Sequence, residues 1–241
     1  MVREISCAAA ALDLRARLPH PARWRASHLP FPPMILALET STRRASLAVY
    51  DRESDRVVDG ASFTTDRAHN AAIFAPLERL VAAHREQLEG IVVGLGPGSY
   101  GGVRVGLAVA NGLSVAMGLP VIGGNSLEAW ETAGDSCLVV GDARRGSCFV
   151  AVVRERKLQG EPELVDDADL GAFLAPLLDG GLAVHTCDAK VVEAVAGAIV
   201  SYPEAGRLAA LYRAVDLNGL APTALEPVYL RAPYITMPKA K

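Results

Sequence analysis

The chain has 241 residues, 51 % hydrophobic and 21 % charged, a globular composition with apolar material for one sizeable core or two small ones. No apolar run approaches the roughly 20 residues of a bilayer span. Four scattered cysteines, Cys7, Cys137, Cys148 and Cys187, argue against zinc clusters and disulfide frameworks and for a reducing, cytoplasmic setting. The net charge of −3 divides into +3 on residues 1–33 and −6 on residues 34–241, an acidic body poorly suited to binding nucleic acid by itself.

Residues 1–33 carry little periodicity and end in Pro30-Phe31-Pro32-Pro33. A secretory signal needs a longer apolar stretch than Cys7–Leu12, which Asp13, Arg15 and Arg17 terminate. A lipoprotein signal needs a small residue where Glu4 stands. The favoured expectation is a start-site artefact or disordered tail, with translation beginning at Met34.

From there the elements are clear. Met34–Ser41, Ala45–Tyr50 and Val57–Phe63 read as three strands joined by short turns, an antiparallel meander. Ala68–Leu88 places Ile73, Leu77, Leu80, Val81, His84 and Leu88 on one helical face, with Pro76 expected to kink it. Gly90–Leu95 is a buried strand, Gly102–Met117 a helix, Pro120–Gly123 a short strand and Ser126–Ala133 a helix. Three antiparallel strands followed by parallel crossovers match the ribonuclease-H-like half of the actin-type ATPase fold.

The pattern then restarts. Leu138–Gly141, a turn over Asp142–Ser147 and Cys148–Arg154 repeat the opening hairpin: an acid near the strand end, Arg-Arg, a small residue and Ser. Ala168–Leu178 and Val191–Ala198 read as helices and Leu182–Thr186 as a strand. The expected fold is α/β and actin-like, with an extension (1–33), a first half (34–134) and a degenerate second half (135–241).

Gly96-Pro97-Gly98-Ser99-Tyr100-Gly101 satisfies G-x-G-x-x-G between a strand and a helix. It is not a Rossmann fingerprint, because a meander and a helix precede it and no acid ends Val121–Gly124. Gly102-Val103 in place of Lys-Ser/Thr rules out a Walker loop. A tight glycine turn suffices to explain it, although free N–H groups at a helix start can attract an anion. Glu39, Thr40, Ser41, Gly96, Gly98 and Ser99 are therefore candidates for a degenerate nucleotide or anion site. Gly102, Gly106, Ala110 and Ser114 recur every four residues. Such a face admits close approach, either of the chain's own sheet or of a second backbone.

At this point the sequence resembles the TsaB (YeaZ) family. Gly96–Gly106, GPGSYGGVRVG, is similar to that family's GPGSFTGLRIG signature. MILALETSTRRASLAVYD resembles its opening hairpin, Arg67-Ala68-His69 its Arg-x-His, GDARRGSCFVAVV its second hairpin and EPVYLR (Glu226–Arg231) its last strand. The resemblance implies a non-catalytic scaffold in tRNA threonylcarbamoyladenosine formation. Its partner is a paralogous transferase, TsaD, which modifies the adenosine beside the anticodon. A P-loop ATPase, TsaE, joins them, and tRNA is reached only through the complex. No cofactor of its own is implied, and ATP or ADP is left to bind at the subunit interface.

The paralogue's metal sits on a His-x-x-x-His helix. Here His69 is followed at that spacing by Ile73, and His20, His28, His84 and His185 show no ligand spacing, so no metal is expected. Two departures stand out: Glu39 replaces the family's Asp, and Gly101 replaces a Thr. The expected partner surface comprises His69, Ile73, Leu77, Gly102, Gly106, Ala110 and Ser114, a face that a homodimer would compete for. A stand-alone kinase or ATPase would need an acid–Gly–Gly turn where Asp142–Gly146 carries arginines. A metalloprotease-like hydrolase would need metal ligands that the spacing does not offer.

Overall fold

The computed structural model describes residues 32–64, 69–217 and 225–230, so the expectations for residues 1–31, for Arg67-Ala68 and for Arg231 lie outside it. The meander forms as β1 (Met34–Glu39), β2 (Arg44–Asp51) and β3 (Arg56–Thr64). After α1 (His69–Ala72) and α2 (Phe74–His84) come β4 (Leu88–Gly94), α3 (Tyr100–Met117) and β5 (Val121–Gly124). The first sheet runs β3-β2-β1-β4-β5. β1 is antiparallel to β2 and parallel to β4, and β4 is parallel to β5. β1 is buried throughout because both of its faces are covered. Met34, Leu36 and Leu38 face the core beneath α2 and α3, while Ile35 and Ala37 face the core on the opposite side. Two-sided burial is what a continuous apolar run encodes.

The second half repeats this order. β6 (Cys137–Asp142) and β7 (Ser147–Arg154) form its hairpin. β8 (Lys157–Leu158) and β9 (Glu163–Asp166) both pair with β7, and β10 (Val184–Thr186) and β11 (Ile199–Val200) follow in parallel on the far side of β6. The sheet order β11-β10-β6-β7-β8 mirrors the first, with β9 as an additional sixth strand on β7. α4 (Leu170–Asp179) and α5 (Ala189–Ala194) cover one face. The α/β fold of two similar, actin-like halves is thus present, the second half with shorter strands and helices.

Three boundaries differ from the sequence expectation. The helix expected over Ala68–Leu88 breaks at Ile73 and ends at His84. Pro76 lacks the N–H that would reach the carbonyl of Ala72, so the ladder restarts with Pro76 in the first turn of α2, where it is tolerated. The helix expected over Ser126–Ala133 is only a 3₁₀ turn, Ser126–Ala129. Asn125 caps it by accepting the Leu127 N–H (2.9 Å), and Trp130 leaves to donate its indole N–H to Ser201 (2.8 Å). Among the described residues, no strand forms over 226–230, where the Val228 N–H donates to the Leu95 carbonyl at 2.8 Å.

The chain finally returns to the first half. α6 (Ala205–Leu211) buries Ala205, Leu208 and Ala209 against Ile35, Ala37, Ala48 and Val92. Residues 205–217 therefore complete the first core although they follow the second half, which cuts across a division at residue 134.

Candidate functional site

β1 ends at Glu39, whose carboxyl is 0 % exposed. One oxygen accepts the Ser41 N–H (2.7 Å) and the other accepts the Ser126 hydroxyl (2.8 Å). The Ser126 oxygen accepts the Gly96 N–H (3.1 Å), and the Ser126 N–H returns a bond to the Gly96 carbonyl (2.9 Å). The end of β1, the glycine loop and the 3₁₀ turn are thereby knotted around a single carboxyl group.

The six residues expected to form a degenerate nucleotide or anion site lie together here. Ser99 donates its N–H to the Ser41 carbonyl (2.6 Å) and caps α3 by accepting from the Gly102 N–H (3.3 Å). The Thr40 hydroxyl donates to the Gly102 carbonyl (2.8 Å). The glycines are needed for contact distance. A Cβ on Gly98 would lie 2.2 Å from the Ser41 carbonyl oxygen, and one on Gly94 would lie 2.1 Å from the Glu39 carboxylate. Gly96 also holds φ at +86°, the left-handed region that glycine enters without strain. The Ser41 hydroxyl is buried with no partner among the described residues. Sequence reasoning missed Ser126 and Gly94, since neither belongs to a charged or repeated pattern.

Burial pushes the Glu39 pKa above its ordinary value, and the opposing bonds from Ser41, Ser126 and Thr40 do not cancel it. A carboxylate that positions a metal–phosphate pair must turn free lone pairs toward it. Both Glu39 oxygens are instead committed to the chain's own donors.

The second hairpin copies the local geometry. Asp142 ends β6 and accepts the N–H of Arg144, two residues on, at 2.9 Å, as Glu39 does with Ser41. Lys190 bridges Asp142 (3.3 Å) and Asp167 (2.8 Å), and Arg144 adds a 3.2 Å pair. Burial alone would raise the Asp142 pKa, but the Arg144 N–H and the Lys190 ammonium outweigh it and hold it low. This acid is tied up by cations where the first is tied up by neutral donors.

The expected partner surface needs correction. Ile73 is 0 % and Leu77 5 % exposed, both inside the first core. A Cβ on Gly102 would sit 2.1 Å from the Thr40 carbonyl oxygen, and one on Gly106 would sit 2.4 Å from the Thr40 hydroxyl. Ala110 is fully buried. Ser114 is half-buried and donates to the Leu119 carbonyl (2.6 Å). Small residues recur there because α3 lies directly on the turn after β1. His69 opens α1, and its side chain lies outside the described residues.

The outward face of the same helix is the unexpected feature. Arg104 is the only charged residue in the 18 of α3. Ala108, Asn111, Gly112, Val115 and Ala116 all face outward, Val115 at 87 % exposure. Phe74 on neighbouring α2 is 56 % exposed. The sequence holds this second series of small residues, Ala108, Gly112 and Ala116, at the same four-residue spacing as the buried one. Spacing alone does not say which series faces outward.

Comparison with known proteins agrees with this architecture. A family model described as TsaD, tRNA N6-adenosine threonylcarbamoyltransferase, matches residues 64–175. An uncharacterised protein of Mycobacterium bovis is 33 % identical over 205 residues, covering 83 % of this chain and 92 % of that protein. The tRNA threonylcarbamoyladenosine biosynthesis protein TsaB of Escherichia coli is 31 % identical over 126 residues, covering 48 % of this chain and 53 % of that protein. The solved structure of YeaZ from Pseudomonas aeruginosa superposes with a TM-score of 0.61 at 20 % identity, over 82 % of this chain and 100 % of that one.

Proposed function

This chain belongs to the TsaB (YeaZ) family, and on that premise we propose that it is the non-catalytic partner subunit in tRNA threonylcarbamoyladenosine formation. In this reading it binds and activates a paralogous TsaD-type transferase in the cytoplasm, alongside a TsaE-type ATPase. It touches tRNA only through that complex.

The observation that carries the reading is the state of Glu39. An acid at the end of β1 is where an actin-like enzyme would hold its metal and phosphate, and here it is sealed by Ser41 and Ser126. What remains for this half of the molecule is a surface. The outward side of α3, with Ala108, Gly112 and Val115, is small and apolar and carries Arg104 as its one charge, and Phe74 on α2 is exposed as well. Such a face suits close packing against helices of a second subunit, with aromatic and aliphatic contacts at its centre. No helix among the described residues is long and apolar enough to cross a membrane.

Reconstitution tests this. The purified chain, given tRNA and threonylcarbamoyl-adenylate, should form no product, and adding it to the transferase should raise product formation. Glu39→Gln should leave that stimulation intact. Ala108→Trp should fold normally yet fail to co-elute with the transferase. Modification by the chain alone, or loss of stimulation in Glu39→Gln with partner binding retained, would sink the proposal.

A further inference from the structure

On the α6 side of the first sheet, away from α2 and α3, lies a cavity of about 370 Å³. The β2–β3 turn, α6 and the β7–β8 turn border it, open to solvent, and its wall carries four arginines, Arg56, Arg156, Arg207 and Arg213. This concentration of cations stands out on a body whose overall charge is negative. The two acids in the wall neutralise it only in part. Asp55 is held by Arg213 (2.6 Å) and by the Tyr50 hydroxyl, and Glu204 is held by Arg44 (2.6 Å), which stands outside the wall.

Arg156 and Arg207 are the inner pair. Arg156 donates one Nη to the Arg207 carbonyl (2.6 Å), and Arg207 donates one Nη to Thr132 (3.4 Å). The Nε of each is buried with no hydrogen-bond partner among the described residues. Burial, followed by repulsion from Arg207 and Arg213, holds the Arg156 pKa below the ordinary arginine value. The turn that carries Arg156 also puts Glu155 (φ +50°) and Arg156 (φ +58°) in the left-handed region, which neither side chain favours. Two half-buried guanidinium groups placed beside each other repel, and an anion rich in acceptors would balance them.

We propose that this cavity is a binding site for a small phosphate monoester, the phosphate seated between Arg156 and Arg207 with Arg56 and Arg213 at the mouth. The phosphate supplies a charge near −2 and several acceptor oxygens to forked donors that match its geometry. The volume falls in the range of small-ligand pockets and leaves room for an organic group beyond the phosphate. The site does not depend on the proposed partner role, because it lies on the opposite face of the sheet.

The test uses the full chain, thermal unfolding and titration calorimetry, with inorganic phosphate, AMP and a short single-stranded RNA lacking terminal phosphates as probes, each against chloride at equal ionic strength. Phosphate and AMP should raise Tm by about 3 °C at ten times Kd. Arg207→Gln should weaken AMP binding at least about 10-fold. Should that variant fold poorly, Arg56→Gln changes an exposed side chain and should still weaken binding several-fold, whereas Arg104→Gln on α3 should leave it unchanged. The proposal is overturned if phosphate and AMP act no differently from chloride, or if AMP binding survives both Arg207→Gln and Arg56→Gln. Binding of the RNA with no response to AMP overturns it equally.

Discussion

Glu39 carries the most consequence of any single side chain in this molecule. Its carboxyl is fully enclosed, and burial holds its pKa above the ordinary value of 4.5. The sign of the linkage follows. A raised folded-state pKa means that the unfolded chain releases this proton more readily, so the contribution of Glu39 to stability is fully present below pH 4.5. It is lost as pH climbs through the folded value. Glu39→Gln removes the ionisation while keeping an oxygen for the Ser41 N–H and an NH₂ for the Ser126 oxygen. Urea unfolding should therefore show the Gln variant gaining on the parent as pH rises from 4.5 toward neutrality, by at most about 1.4 kcal/mol per pH unit. A stability difference that stays constant over that interval would contradict this view of the carboxyl. The same enclosure argument applies to the thiols. Burial pushes Cys137 and Cys148 up to about 11 and Cys187 to about 12, so all three remain protonated at neutral pH and are poor nucleophiles.

Among the elements, α3 separates two roles that its sequence superimposes. Its inner series, Gly102, Gly106 and Ala110, touches Thr40 and the first core, whereas its outer series faces solvent. Gly106→Leu combined with Ala110→Phe should therefore leave the chain insoluble or unfolded, because the Thr40 hydroxyl stands against Gly106 and Ala110 is fully buried in the first core. On the outside, a Cβ on Gly112 meets nothing within 4 Å, and Gly112→Ala should raise stability by about 0.5–1 kcal/mol through helix propensity alone. Circular dichroism during denaturant titration measures both. The contrast shows how far this fold was legible in the sequence. β1, β2, β4 and α3 are long, apolar and punctuated, so their identity and order could be read. The convergence of Glu39, Thr40, Ser41, Gly96, Gly98 and Ser99 could be read as well, since all flank recognisable strand ends. β8, β9, β11 and α6 could not, because each spans two to seven residues and exists through tertiary contacts that no local pattern records. Ser126 escaped for a similar reason, being a lone hydroxyl that matters only once the 3₁₀ turn brings it to Glu39. The orientation of α3 escaped because two equally spaced small-residue series offer the sheet a choice that only packing resolves.

At the scale of the whole molecule, the repeat of two sheets suggests two independent units, but α6 and the segment after it argue for one. Ala205, Leu208 and Ala209 close the face of the first sheet formed by Ile35, Ala37, Ala48 and Val92. The Ala205 N–H donates to the buried Ser46 hydroxyl (2.9 Å), and Arg52 reaches the carbonyls of Arg213 and Val215, each at 2.7 Å. Arg44 adds ion pairs to Glu204 (2.6 Å) and Glu131 (3.4 Å). The first half is therefore completed by chain that leaves the second. A fragment of residues 32–134 should not fold, since it would expose one entire apolar face of a sheet built to be covered on both. Leu208→Ala in the full chain removes a fully buried side chain at this junction and should cost about 2–5 kcal/mol. Because the helix that loses its anchor belongs to the second half by sequence and to the first by packing, the loss should be felt by both. Calorimetry should show the parent and Leu208→Ala each unfolding in a single endotherm, the variant's at lower temperature. Two resolved endotherms in the parent, or a folded fragment of residues 32–134, would show instead that the halves stand alone and that α6 is an accessory to the first.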